Sequence, residues 1–156
     1  MDNGYNPFLR SDNIGVAAGF SDAGRGGVDW YLFPRVSHGW DDVLFMNKHW
    51  DGPLIFKGIQ TVEDARMCVE VGVDGIVVSN HGGRQVDGGV SSLGMLPRIV
   101  DAVGDKLDVF FDSGIRSGAD IAKAMALGAQ MCFIGRPYIC GLALGGEGGV
   151  MCSSLC

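Results

Sequence analysis

The chain has no excess of positive charge. Its 12 lysines and arginines stand against 18 aspartates and glutamates, a formal net charge of -6, so a nucleic-acid backbone finds no basic face and no nucleic-acid partner is expected. It has no run of about 18 apolar residues of the kind that crosses a bilayer, and Met1-Asp2-Asn3-Gly4 lacks the basic start and apolar core of a secretory signal. No membrane partner is expected, and the compartment expected is the cytoplasm. The last residues, Ser154-Leu155-Cys156, differ from the peroxisomal address Ser-Lys-Leu, which leaves the peroxisome open but unsupported. The five cysteines imply no disulfide framework: Cys68, Cys132 and Cys140 lie in apolar stretches, where thiols act as small core residues. Cys152 and Cys156 form a lone CxxxC with no second pair or histidine after it, so no metal is assigned. The glycine-rich dinucleotide fingerprint after a first strand is also missing.

What is present is enough for one packed domain: 156 residues, 47% of them hydrophobic and 19% charged. The 26 glycines fall at the ends of apolar runs and show no collagen-like period, so they punctuate repeated turns. Residues 1–39 form the least regular part, read as a loop or lid segment. From Trp40 the residues Val43, Leu44 and Asn47 take helical spacing, with Asp41 and Asp42 where the helix dipole favours negative charge. A strand is then predicted over residues 53–58 and a helix from Thr61 to Val71. The unit recurs as a strand over residues 75–78 with a helical stripe through Leu93, Leu96, Ile99, Val100 and Val103, and as a strand over 109–112 with a helix over 121–127. The fourth copy is a strand over 131–134 with a helix to about Leu144.

Four strands alternating with four helices predict parallel βα units with right-handed crossovers. A doubly wound sheet and a (β/α)8 barrel both accept such units. The missing fingerprint and the polar group closing each strand, Lys57, Ser79, Asp112 and Arg136, favour the barrel, whose functional residues gather at strand C-termini. A complete barrel takes about 250 residues, so residues 40–150 are expected to form the C-terminal half of one, an α/β fold of about four units.

The densest chemistry follows the second strand. Ser79-Asn80-His81-Gly82-Gly83-Arg84 brings a hydroxyl, an amide, an imidazole and a guanidinium together directly after an apolar run. A strand interior could not satisfy so many polar groups, so the stretch is read as a reactive loop facing a ligand. On its own His81 reads as a structural histidine more readily than as a catalyst. With Arg84 offering a planar fork for a carboxylate, it suits general-base oxidation of a 2-hydroxy acid. Asp112-Ser113-Gly114-Ile115-Arg116 and Gly135-Arg136 close the next two strands, and glycines with an arginine ahead of a helix suit an anion. The competing reading of Arg116 and Arg136 is a surface ion pair, and that of Lys57 a rim lysine with its stem laid over apolar surface. If an anionic cofactor sits above the strands, Lys57 would stabilise it electrostatically.

Lys57-Gly58-Ile59, residues 75–88 (GIVVSNHGGRQVDG), residues 112–118 (DSGIRSG) and Gly135-Arg136-Pro137-Tyr138 resemble the FMN-dependent 2-hydroxy acid oxidases and dehydrogenases. That family includes glycolate oxidase, lactate oxidase and lactate 2-monooxygenase. The likeness runs from about Trp40 to Val150. Pro7-Phe8-Leu9-Arg10, Phe20-Ser21-Asp22 and Asp51-Gly52-Pro53-Leu54 are most similar to the lactate 2-monooxygenase branch. The resemblance implies a flavin-binding (β/α)8 barrel with FMN as cofactor, a small 2-hydroxy acid as substrate and homo-oligomeric full-length relatives. It implies His81 as the base and a substrate contact, and Arg84 as the carboxylate ligand. Lys57 would lie near flavin N1 and the C2 carbonyl, and Ser79 against the ring. Asp112, Ser113, Gly114, Ile115 and Arg116 would hold the ribityl and phosphate region, with Gly135 and Arg136 completing the phosphate site.

The family's first four strands, which line the other side of the flavin and supply a carboxylate to orient the histidine, have no counterpart in these residues. The expectation is therefore a half that does not form a complete active site alone. The alternative is a non-catalytic half-barrel that binds FMN or phosphate weakly or covers its open strands with another half-barrel, or else an inactive gene-fragment product. Residues 151–156 depart from the family's HVLKSL, in a way that one shifted reading frame reproduces, and are read as a divergent, frameshifted tail.

Overall fold

The structure is a computed structural model describing residues 39–155. The irregular segment expected over residues 1–39 therefore lies outside the described residues, except Gly39, as does Cys156.

The first helix, α1 (Trp40–His49), begins where Gly39 donates its N–H to the Asp42 carboxylate at 2.8 Å, and it buries Val43 alone. Four βα units follow: β1 (Ile55–Ile59) with α2 (Val62–Val71), β2 (Gly75–Val78) with α3 (Ser92–Val103), β3 (Asp108–Phe111) with α4 (Gly118–Ala126), and β4 (Met131–Cys132) with α5 (Arg136–Leu155). The strands form one sheet in the order β1-β2-β3-β4, and every pair is parallel. Sequential parallel order with one helix per crossover is the arrangement expected of half a barrel.

Local chemistry explains the boundaries. Thr61 caps α2 by accepting the Asp64 N–H at 3.0 Å, and Gly72 closes that helix in the left-handed region at φ 77. Gly58, at φ 101, lies where the register of β1 against β2 slips between Lys57 and Ile59. The slip is a bulge that re-aims the end of the strand. Side chains tie the strand starts together: Asp74 accepts the Leu54 N–H at 2.7 Å, and Gln130 accepts the Val109 N–H at 2.9 Å.

The core lies between sheet and helices. Phe56 and Ile59 of β1, Ile76 and Val78 of β2, and Val109 and Phe111 of β3 pack with Cys68 and Val71 of α2 and with Leu96, Ile99 and Val103 of α3. All of β2 is buried, as suits a central parallel strand covered on both faces. Burial pushes the Cys68 thiol up to about 12, with the nearby Asp64 carboxylate adding to the shift. It acts as a core residue, as its apolar setting predicts.

Several boundaries differ from the sequence expectation: β1 spans Ile55–Ile59 in place of residues 53–58, and α4 starts at Gly118 in place of residue 121. The fourth strand ends at Cys132, two residues early, because Phe133 and Ile134 leave the ladder after Phe133 N–H bonds to Phe111 O at 2.8 Å. The last helix continues past Leu144 to Leu155. It breaks at Gly145 and Gly146, whose backbone angles are non-helical, and then resumes through Met151. Glycine makes that break accessible.

Candidate active site at the strand ends

The polar residues closing β1 to β4 meet in one cleft of about 360 Å³. Lys57, His81, Arg84, Asp112, Ser113, Gly114, Ile115, Arg116, Gly135 and Arg136 all line it. Every site residue expected from the sequence is thus brought together, apart from Ser79, which lies buried beneath the cleft. Four cations and one carboxylate face this space in a chain whose net charge is -6. Such a concentration of positive charge in a concave site focuses potential on an anionic ligand.

A network of hydrogen bonds builds the floor. Lys57 Nζ donates to Ser79 Oγ at 3.0 Å and pairs with the Asp112 carboxylate at 2.5 Å. Ser79 Oγ also accepts the His81 N–H at 3.2 Å. Across the cleft Ser113 Oγ donates to Asp112 Oδ1 at 2.8 Å and accepts the Gly82 N–H at 3.0 Å. Arg136 Nη2 donates to the Gly82 carbonyl at 3.2 Å, and Arg84 Nε to the His81 carbonyl at 3.0 Å. The loop after β2 is thereby held by side chains from the other three strand ends.

The backbone of this loop is unusual. His81 and Ser113 take positive φ values of 55 and 83, and Gly82, Gly83 and Gly114 lie at 73, 72 and 84. A left-handed conformation at a non-glycine residue costs of order 1–3 kcal/mol, so the surrounding bonds must hold it in place. Gly82 has a second reason to be glycine: a Cβ there would stand 3.0 Å from Arg136 Nη2. At Gly114 and Gly135 a Cβ would meet nothing within 4 Å, so these glycines leave open space beside Arg116 and Arg136.

Asp120 ties down the two residues that lead into α4. Asp120 accepts the N–H groups of Arg116 at 3.0 Å and Ser117 at 3.1 Å. The Arg116 N–H bond, followed by the Ser117 hydroxyl, holds the Asp120 carboxyl below its ordinary value. The Arg116 guanidinium turns back onto the Ile115 carbonyl at 3.0 Å. Among these groups the open space at Gly114 and Gly135, flanked by Arg136, is the better-prepared anion position.

Sequence reasoning missed Phe133, Ile134 and Ile139, which supply an apolar wall. Phe133 and Ile134 read as the end of a strand, and only the early stop of β4 turns them to the cleft. Phe133 also packs edge-on against Phe110, with ring centroids 6.0 Å apart. Among the described residues no cluster of histidine, cysteine or carboxylate side chains could hold a metal, and no helix is long and apolar enough to cross a membrane.

The pattern shared by the FMN-dependent dehydrogenases matches residues 28–153. The chain belongs to that family. It is 59% identical over 170 aligned positions to an FMN-dependent alpha-hydroxy acid dehydrogenase of Schizosaccharomyces pombe, an alignment covering 96% of this chain and 42% of the relative. It is 44% identical over 143 positions to 2-hydroxyacid oxidase 1 of Mus musculus, covering 92% of this chain and 37% of that one. The solved structure of mandelate oxidase with (S)-4-hydroxymandelic acid superposes with a TM-score of 0.72 at 48% identity, over 76% of this chain and 34% of the other. The chain therefore spans about two fifths of the curated relatives it matches. The four parallel units are half of the FMN-dependent dehydrogenase barrel.

The residues present fit FMN, as their donor set shows. Arg116 and Arg136 beside the open space at Gly114 and Gly135 suit a phosphate, and Lys57 suits an anionic ring edge. Phe133, Ile134 and Ile139 suit the apolar faces of a planar group.

Proposed function

We propose that this chain supplies the base, the carboxylate clamp and the phosphate site for FMN-dependent oxidation of a small, lactate-like 2-hydroxy acid to the 2-oxo acid or its decarboxylated product. The observation that carries this reading is the meeting of His81, Arg84, Lys57, Arg116 and Arg136 on one cleft of an otherwise acidic chain. When bound, FMN supplies the acceptor for the two electrons and the α-hydrogen that leave the substrate.

The chain's own residues divide the remaining work. Arg84 holds the substrate carboxylate through its guanidinium fork, with its Nε already anchored on the His81 carbonyl. That anchor ties the clamp to the backbone of the base, so carboxylate and hydroxyl are presented together. His81 accepts the proton of the substrate hydroxyl at a ring nitrogen as the carbonyl forms. Lys57 offsets negative charge gathering on the cofactor edge, and its pairing with Asp112 keeps the ammonium at the mouth of β1. Gly114, Gly135, Arg116 and Arg136 would hold the phosphate of FMN, and Asp112, Ser113 and Ile115 would line the ribityl region. Phe133 and Ile134 limit water at the ring.

A titration of the purified chain with FMN tests this reading. Quenching of flavin fluorescence with a shifted visible band is expected, and Arg136→Met is expected to weaken it. Lactate, glycolate or mandelate should then bleach the band anaerobically if the chain alone completes a site. Binding without bleaching would support the alternative, a non-catalytic half-barrel, which the exposure of Met131 and Phe133 at the β4 edge favours. A flavin spectrum left unchanged by the chain would overturn the proposed function.

A further inference from the structure

The Ser113 hydroxyl is committed to the protein. It sits between the Asp112 carboxylate and the Gly82 amide, donating to one at 2.8 Å and accepting from the other at 3.0 Å. Both bonds have ordinary lengths, and both partners flank the cleft: Asp112 pairs through its other oxygen with Lys57, and Gly82 follows His81 directly. Ser113 itself is at φ 83, a conformation that glycine adopts without strain. A hydroxyl kept on a strained backbone where glycine would be easier points to a use for that oxygen. Its span of 31 residues rules out a local turn: it bridges the ends of β2 and β3.

We propose that Ser113 is a positioning residue for His81, its hydroxyl linking the Lys57–Asp112 pair to the Gly82 amide and so fixing the backbone on which the imidazole is mounted. His81 at φ 55 needs such support, because the residue would relax toward an ordinary conformation if its neighbour's amide were released. Arg136 restrains the next peptide unit from the β4 side through the Gly82 carbonyl, so Ser113 and Arg136 hold Gly82 at its N–H and its C=O. The function of that geometry rests on His81 being the base, whereas the geometry itself is read without cofactor or turnover.

The test uses the full chain with Ser113→Gly and Ser113→Ala. Losing one neutral hydrogen bond should accelerate amide exchange at Gly82 by about three- to tenfold in both variants. The His81 ring resonances should shift, while the β2 amides keep their protection. Ser113→Gly should melt nearer to the parent than Ser113→Ala does, because it relieves the positive φ as it removes the hydroxyl. Ser113→Ala should melt lower than Ser113→Gly, because it keeps the strain. Unchanged exchange at Gly82 with unmoved His81 resonances would overturn the proposal, as would equal acceleration at Gly82 and throughout β2, the mark of a merely global loss of stability. Failure of the parent chain to bind FMN would overturn the proposed function and leave the Ser113 result as it stands.

Discussion

Two parts of the sheet are made of similar residues and meet different fates. In β2 the run Gly75–Val78 is buried at every position, while at the fourth strand end Met131 is 48% and Phe133 42% exposed. Both runs are apolar, so hydrophobicity does not separate them. What separates them is company. Between β1 and β3, β2 has a hydrogen-bonded strand on each side, with α2 and α3 packed over it. By contrast, β4 pairs only with β3 among the described residues, and α5 exposes Leu142 and Leu144. An apolar run specifies a strand, but burial is specified by what lies beside it. The cleft crosses the boundary between these regions: His81 and Arg84 stand on the packed side, Arg136 and Phe133 on the open side.

Phenylalanines one strand apart test that difference most strongly. Phe111 is 2% exposed in the core, so Phe111→Ala should cost about 3–5 kcal/mol through lost burial and the cavity left behind. Phe133→Ala, which gives up mainly its edge-on contact with Phe110, should cost about 1 kcal/mol. Urea denaturation followed by circular dichroism reads both. Equal costs would break the comparison and mean that the β4 edge is as well covered in solution as β2.

The neighbouring glycines Gly82 and Gly83 probe the seam. Both have positive φ, so alanine at either should cost about 1–2 kcal/mol in backbone strain. Only at Gly82 would the new Cβ press on Arg136, since Gly83 has nothing within 4 Å. Gly82→Ala should therefore also weaken FMN binding, whereas Gly83→Ala should lower the melting temperature without that second loss. Fluorescence titration of the two variants separates strain from displacement of the arginine.

Much of this was legible in the sequence, for identifiable reasons. Alternation of short apolar runs with helical stripes gave the parallel units, because a βα crossover needs little more than local periodicity. Strand-end polar groups located the site, because buried strands leave polar residues nowhere else to go. The end of β4 was not legible, since Phe133 and Ile134 look like strand and only the absence of a further ladder partner releases them. Nor was the helix beyond Gly145, where two adjacent glycines read as a terminus but act as a break. The Ser113 bridge escaped for a third reason: a hydroxyl's partner 31 residues away leaves no trace in local pattern.

The smallest effects should come from the helix starts, one on each side of the comparison. Thr61→Ala removes the side-chain cap of α2 in the packed region and should cost about 1 kcal/mol, with little dependence on pH, because a hydroxyl does not titrate in the accessible range. Asp120 does the corresponding work for α4 on the more open side, accepting the Arg116 and Ser117 N–H groups and the Ser117 hydroxyl. Its carboxyl is held below the ordinary 3.8 in the folded chain. The folded form thus prefers the ionised group, and the resulting stabilisation is fully present above the unfolded value near 3.8 and is lost as pH falls through the lower folded value. Asp120→Asn should accordingly melt below the parent at neutral pH, and the gap should close as the parent's carboxyl becomes protonated. Because the Asp120 side chain is partly open to water, solvent screening keeps the gap small. A gap that persisted unchanged into acid would mean that the carboxylate charge contributes nothing to the cap. A gap rivalling that of Thr61→Ala would mean that the open side depends on its helix starts as heavily as the packed side, erasing the contrast between them.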